Sequence, residues 1–121
     1  MDNTMLLIVD DNKQVRRMIR SLVEDLETEF CECEDGSQAL SAYRECSPDL
    51  VLMDVQMKEM DGLTATRQIK KAFPDAKVII LTNYTDAKTR QAATDAGANC
   101  FCDKEDLTSL RGLIAANKKG S

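Results

Sequence analysis

Asp10, Asp11, Asp54, Thr82 and Lys104 are the residues of this chain whose types and spacing can do chemistry together. Each follows a short apolar run. Met5-Leu6-Leu7-Ile8-Val9 ends in Asp10-Asp11-Asn12, Leu50-Val51-Leu52-Met53 in Asp54, Val78-Ile79-Ile80-Leu81 in Thr82-Asn83-Tyr84, and the run Asn99 to Cys102 in Asp103-Lys104. Three carboxylates crowded together would each disfavour ionisation of the others, a conflict that a divalent cation with oxygen ligands resolves. The chain has no His and no thiol falls in this group, which favours Mg²⁺ or Mn²⁺ over zinc. A carboxylate nucleophile beside such an ion, a hydroxyl donor and a mobile ammonium is what phosphoryl transfer to an aspartate requires, because that reaction runs on positioning and charge neutralisation. Each residue alone has a plainer role: an Asp can cap a helix, a Thr at a strand end is commonly a turn residue, and a Lys there is usually solvated. Their coincidence at neighbouring strand ends weighs for a site.

The elements that must position them follow from the apolar pattern. The run ending at Asp54 is continuously apolar and reads as a strand buried on both faces, as inside a parallel sheet. Val15, Met18, Ile19, Leu22, Val23 and Leu26 recur at helical spacing, so a covering helix follows the first strand. Glu29 to Glu34 alternates less hydrophobically, as an edge strand does, and Asp35-Gly36-Ser37 turns into a helix carrying Ala39, Leu40 and Tyr43 that Ser47-Pro48 stops. Asp61-Gly62 opens a third helix through Phe73, and Pro74-Asp75 closes it. A fourth helix, from about Asp86 to Ala96, offers mostly Ala to the core and should be the least firmly held, with Gly97 as its cap. The last helix carries Leu107, Leu110, Leu113 and Ile114, with Gly112 costing about 1 kcal/mol relative to Ala. Strict βα alternation implies an α/β fold with a five-stranded parallel sheet and helices on both faces; weakly apolar second and fifth strands at the edges favour the order 2-1-3-4-5, doubly wound and flavodoxin-like. The switch point then lies between the first and third strands, where Asp10, Asp11 and Asp54 arrive.

Length suits one domain, 1–121, with a core over about 5–117 and residues 118–121 as a tail or the start of a linker. The formal net charge of −5 speaks against direct nucleic-acid binding by this domain, since that affinity comes from clustered Lys and Arg. The chain has no membrane-length apolar run and no signal-like start, so a cytoplasmic location without membrane partners is expected. The absence of His means that any phosphoryl group must come from another protein or a small molecule. Five cysteines, an odd count, argue against a disulfide framework. Cys31, Cys33, Cys100 and Cys102 are expected as small buried apolar residues on opposite edges, with Cys46 packing at a helix end.

The acidic pair Asp10-Asp11, Asp54 in the pattern Asp-x-x-Met-x-x-x-Asp-Gly, Thr82, Ala96-Gly97-Ala98, and Phe101 three residues before Lys104 together resemble a response-regulator receiver domain, from about Met5 to Leu113. The resemblance implies that Asp54 accepts a phosphoryl group from a histidine kinase or phosphotransfer protein. It implies Mg²⁺ held by Asp11 and Asp54, by Asp10 largely through water, and by the backbone carbonyl of Gln56. Lys104 would bridge to the phosphoryl group, Thr82 would move toward it and Phe101 would shift inward, altering the surface of the fourth helix, fifth strand and fifth helix. Such a domain promotes its own aspartyl phosphorylation and dephosphorylation as a signalling switch. It controls an output domain or downstream protein, transcription through a DNA-binding domain outside this chain being one such output; a homodimer through the same surface stays open. Three departures are Lys58 in place of a Pro, Asn83 in place of a small residue, and Glu105 in place of a Pro, so a trans Lys104–Glu105 bond is expected. Two alternatives remain: a phosphatase of the haloacid dehalogenase type, against which Asp10-Asp11-Asn12 lacks the second Asp of Asp-x-Asp, and a receiver-shaped binding module that works without phosphorylation.

Overall fold

The central strands set the architecture. In the computed structural model, which describes residues 3–84 and 86–117, β3 (Leu50–Asp54) and β4 (Val78–Thr82) are buried along their whole length, so neither can lie at an edge. β1 (Thr4–Val9) pairs with β3 on one side and with β2 (Thr28–Cys33) on the other, and β4 pairs with β5 (Cys100–Asp103). All pairs are parallel, and the order is β2-β1-β3-β4-β5, as the apolar pattern predicts. The half-exposed β2 and β5 take the edges. The tail expected at 118–121 lies outside the described residues.

Alternation along each strand divides the core in two. Leu6, Ile8, Leu50, Leu52, Ile79 and Leu81 face Ile19 and Val23 of α1 (Lys13–Val23) and Leu110 and Ile114 of α5 (Ser109–Ala116). Leu7, Val9, Val51, Met53, Val78 and Ile80 point the other way, onto α2 (Ala39–Cys46), α3 (Gly62–Ala72) and α4 (Ala87–Ala96). The fully buried Leu and Ile side chains each contribute about 1.5–3 kcal/mol. α4 buries only Ala93 and Ala96, so its hold on the sheet is the thin one expected. Among the described residues no helix is long and apolar enough to cross a membrane and no peptide bond is cis, so Lys104–Glu105 is trans.

Two expectations are corrected. Met18 does not join the apolar face of α1; it is 53% exposed, while Arg16, on the line with Ile19 and Val23, is buried. α1 also stops at Val23, and Leu26 falls in a 3-10 turn (Glu24–Leu26) that ends at Glu27 with a positive φ. The second correction concerns the thiols: Cys31 and Cys46 are joined by a disulfide, with Cα atoms 6.7 Å apart. An odd cysteine count argues against a closed framework but not against one bond, and the sequence pattern does not show that the last turn of α2 lies over β2. Cys102 is buried as expected, whereas Cys33 and Cys100 are half-exposed.

Two glycines give opposite expectations. A Cβ on Gly62 would lie 1.9 Å from the carbonyl oxygen of Asp54 and 2.9 Å from Met53 Cγ, and the Gly62 amide already donates to Val55 at 2.8 Å. Gly62→Ala is therefore expected to destabilise by about 3 kcal/mol. A Cβ on Gly112 meets nothing within 4 Å inside α5, so Gly112→Ala should stabilise by about 0.5–1 kcal/mol. Urea denaturation of both variants reads the two signs.

Candidate functional site

Strand register brings the expected residues to one edge. Val9 pairs with Met53, so Asp10 leaves β1 beside Asp54 at the end of β3; Asp54 pairs with Leu81, one residue before Thr82. Thr82 in turn pairs with Asp103, and its carbonyl accepts the Lys104 amide at 2.9 Å. Carboxylate oxygens of Asp10, Asp11 and Asp54 all lie within 4.8 Å of one another. Asp10 and Asp54 are buried and Asp11 is exposed. The Lys104 ammonium sits 3.0 Å from Asp10 Oδ2 and 3.1 Å from Asp54 Oδ1.

Electrostatics follow from this crowding. Burial, then the charge of Asp10, pushes the Asp54 carboxyl up to about 6, although Lys104 opposes the shift. Burial alone would lower the Lys104 ammonium, but hydrogen bonding and charge from Asp10 and Asp54 raise it above its ordinary value. One ammonium thus faces three carboxylates. Asp10 Oδ2 is buried with the Lys104 nitrogen 3.0 Å away, and one ammonium cannot balance three carboxylates, so net negative charge remains for a cation. The all-oxygen donor set fits a hard divalent ion rather than zinc.

The supports were not foreseen. Arg16 Nη1 donates to the Asp10 carbonyl at 2.5 Å, while Arg16 Nε donates to Glu32 of β2 at 3.0 Å. A buried guanidinium therefore fixes the backbone that aims Asp10 and Asp11. Asn12 caps α1 by accepting from the amides of Gln14 and Val15, and its own amide donates to Asp10 Oδ1 at 2.8 Å. Asp35, after β2, accepts from the amides of Ser37, Glu59 and Met60. Burial would raise this carboxyl, but those hydrogen bonds outweigh it and hold it down at about 2. Glu59 and Met60 belong to the loop after Asp54, so Asp35 grips the far side of the site. The sequence signals were present: Arg16 shares helical spacing with Ile19 and Val23, and Asp35 opens a turn.

The remaining expected residues divide. Gln56, Lys58 and Asn83 line an open cleft of about 410 Å³ with Asp11, Asn12, Asp54 and Lys104. Thr82 is buried beside it, its hydroxyl turned to the chain: Oγ1 accepts from the Tyr84 amide at 2.9 Å and donates to the Tyr84 carbonyl at 3.3 Å. Phe101 lies away from the cleft on β5, half-buried, with the Arg90 guanidinium of α4 4.9 Å above its ring.

Comparison with known proteins gives one family. The family model described as response regulator receiver domain matches residues 6–115. The response regulator protein VraR of Staphylococcus aureus is 39% identical over 119 residues, covering 96% of this chain and 56% of its own length. The chain thus spans about half the length of the curated relatives it matches. A LuxR-family two-component response regulator from Aurantimonas superposes with a TM-score of 0.85 at 27% identity, covering 97% of this chain and 89% of its own. The signal receiver domain of the putative response regulator NarL from Mycobacterium tuberculosis covers all of both chains, with a TM-score of 0.88 and 21% identity.

The raised Asp54 carboxyl carries a pH signature. The unfolded carboxyl gives up its proton near 3.8 and the folded one near 6, so across that window the folded state holds the extra proton and stability falls as pH rises. Asp54→Asn removes the loss and should be more stable than the parent by about 1–2 kcal/mol at pH 7, with the gap closing below pH ~4; the figure is reduced from the full shift because the cleft is open to solvent. Urea unfolding across pH, without divalent metal, measures it.

Proposed function

The chain belongs to the response regulator receiver domain family, and from that premise we propose that Asp54 is its phosphoryl acceptor. The observation that carries this reading is the juxtaposition of Asp54 with Lys104 at 3.1 Å and with the Asp10 and Asp11 carboxylates, at the mouth of an open cleft. The donor is a histidine kinase or phosphotransfer protein. A carboxyl with a pKa near 6 is mostly ionised at neutral pH and free to act as nucleophile.

In the proposed reaction an Asp54 carboxylate oxygen attacks the phosphorus of a phosphohistidine, the P–N bond breaks, and an acyl phosphate forms as the imidazole leaves with the electron pair. Asp11 and Asp54, the Gln56 carbonyl and, through water, Asp10 would hold Mg²⁺. When bound, that ion neutralises charge on the phosphoryl oxygens. Lys104, within reach of Asp54, supplies a second positive contact to the transferred group. Thr82 must leave Tyr84 to donate its hydroxyl to a phosphoryl oxygen, so occupation of the site is coupled to the turn after β4. Movement of Phe101 would carry the change to the surface of α4, β5 and α5, where α4 is the weakly held element. An output domain or a downstream protein reads that surface; DNA-binding relatives support transcription as the output.

Incubation with acetyl phosphate and Mg²⁺ is expected to add one phosphoryl group by intact mass, abolished by chelation and by Asp54→Asn. Lys104→Gln should slow labelling about a hundredfold. No labelling of the parent by a donor shown active on another receiver would turn the reading toward a phosphorylation-independent module.

A further inference from the structure

The disulfide between Cys31 and Cys46 has no part in the phosphoryl chemistry. It ties an edge strand to the last residue of α2, and both cysteines are only half-buried. The bond holds the end of α2 that packing does not: Ala39 is buried, Leu40, Ala42 and Tyr43 pack on the core and the Tyr43 ring lies 4.6 Å from the Phe73 ring, but Arg44 and Glu45 beyond them are exposed. Of the other thiols only Cys33, two residues along β2, is near. Cys100 and Cys102 lie on β5 at the opposite edge of the sheet. Burial pushes the Cys33 thiol up to about 11, which keeps it protonated and a poor competitor for exchange.

The segment enclosed by the bond contains the Asp35 turn. Asp35 accepts the Glu59 and Met60 amides at 3.0 and 3.1 Å, and Ser37 Oγ donates to Glu59 Oε2 at 3.0 Å. A Cβ on Gly36 would lie 2.5 Å from the Met60 carbonyl oxygen, which shows how closely the two backbones meet. The ring closed by the disulfide therefore grips the loop that begins at Asp54 and carries Gln56 along the cleft.

We propose that Cys31 and Cys46 are a reversible dithiol–disulfide pair whose redox state sets how firmly the loop after Asp54 is held, and so how tightly the acidic cleft takes a divalent cation. The proposal rests on the reading of that cleft as a cation-dependent phosphoacceptor site. The reductant is a dithiol. Its thiolate attacks one sulfur to give a mixed disulfide, its second thiol displaces the protein thiol, and the dithiol leaves as its own disulfide. Cys31 and Cys46 take up two electrons and two protons; a small disulfide oxidant reverses the exchange. Reduction opens the ring, frees the last turn of α2 and slackens the Asp35 turn.

The test compares this chain oxidised by glutathione disulfide with the same chain reduced by dithiothreitol. Alkylation in denaturant and intact mass should count three free thiols in the first and five in the second. Reduction should speed amide exchange at Glu59 and Met60 and weaken binding of Mg²⁺ alone, followed by calorimetry, by about threefold or more each. Cys33→Ser should keep the response; Cys31→Ser with Cys46→Ser should match the reduced parent under both conditions. Five free thiols after oxidation overturn the proposal, as do equal exchange and equal Mg²⁺ affinity in the two states. Failure of Asp54 to take a phosphoryl group in either state strikes the functional reading instead, and leaves the thiol count and exchange rates to judge the redox pair.

Discussion

Excess buried negative charge at the carboxyl edge of the sheet is the constraint on which the rest depends. Asp10 and Asp54 are held out of water within reach of a single ammonium, with Asp11 a few ångströms away. Isolated, such an arrangement would push its backbone apart or keep its protons. It persists because the surroundings leave it no freedom: β1 and β3 are locked in register through the core, Arg16 holds the carbonyl of Asp10, and Gly62 lets α3 start against the carbonyl of Asp54. The sheet supplies rigidity and the edge spends it on a charge imbalance that an arriving cation and phosphoryl group can settle.

Support is distributed unevenly around that edge, and the unevenness suits a switch. The face covered by α1 and α5 is filled with large aliphatic side chains, whereas α4 rests on two alanines. Burial free energy scales with apolar area, so displacement of α4 costs least. Thr82 and Phe101 both lie next to this lightly anchored region, one closed on the Tyr84 backbone and the other under Arg90.

Much of the architecture was legible because strand burial and edge position leave different apolar patterns. The continuous runs of β3 and β4 and the diluted ones of β2 and β5 are enough to order the sheet. Asp10, Asp11, Asp54 and Lys104 were legible for the same reason, since a strand end fixes where its next residue goes. What escaped depends on contacts between elements. Arg16 reads as a solvated helix residue until Glu32 and the Asp10 carbonyl are placed beside it, and Met18 reads as core until α1 is rotated against the sheet. The bond between Cys31 and Cys46 depends on where the last turn of α2 lands, which no periodicity records. Thr82 ends β4 as the apolar run predicts, but the orientation of its hydroxyl belongs to the turn that follows.

The stacking of Arg90 on Phe101 bears on noise in the resting protein. A guanidinium over an aromatic face at a partly exposed position is worth about 0.5–1 kcal/mol. For a ring with an outer and an inner position, that weights the outer one by about two- to fivefold. Such a bias would be too small to resist a ligand that distinguishes the two positions, yet large enough to cut spontaneous occupancy of the inner one severalfold. If Phe101 moves as proposed, one arginine on the lightest helix would act as a threshold setting, adjustable by a single codon and independent of the residues that carry out the chemistry.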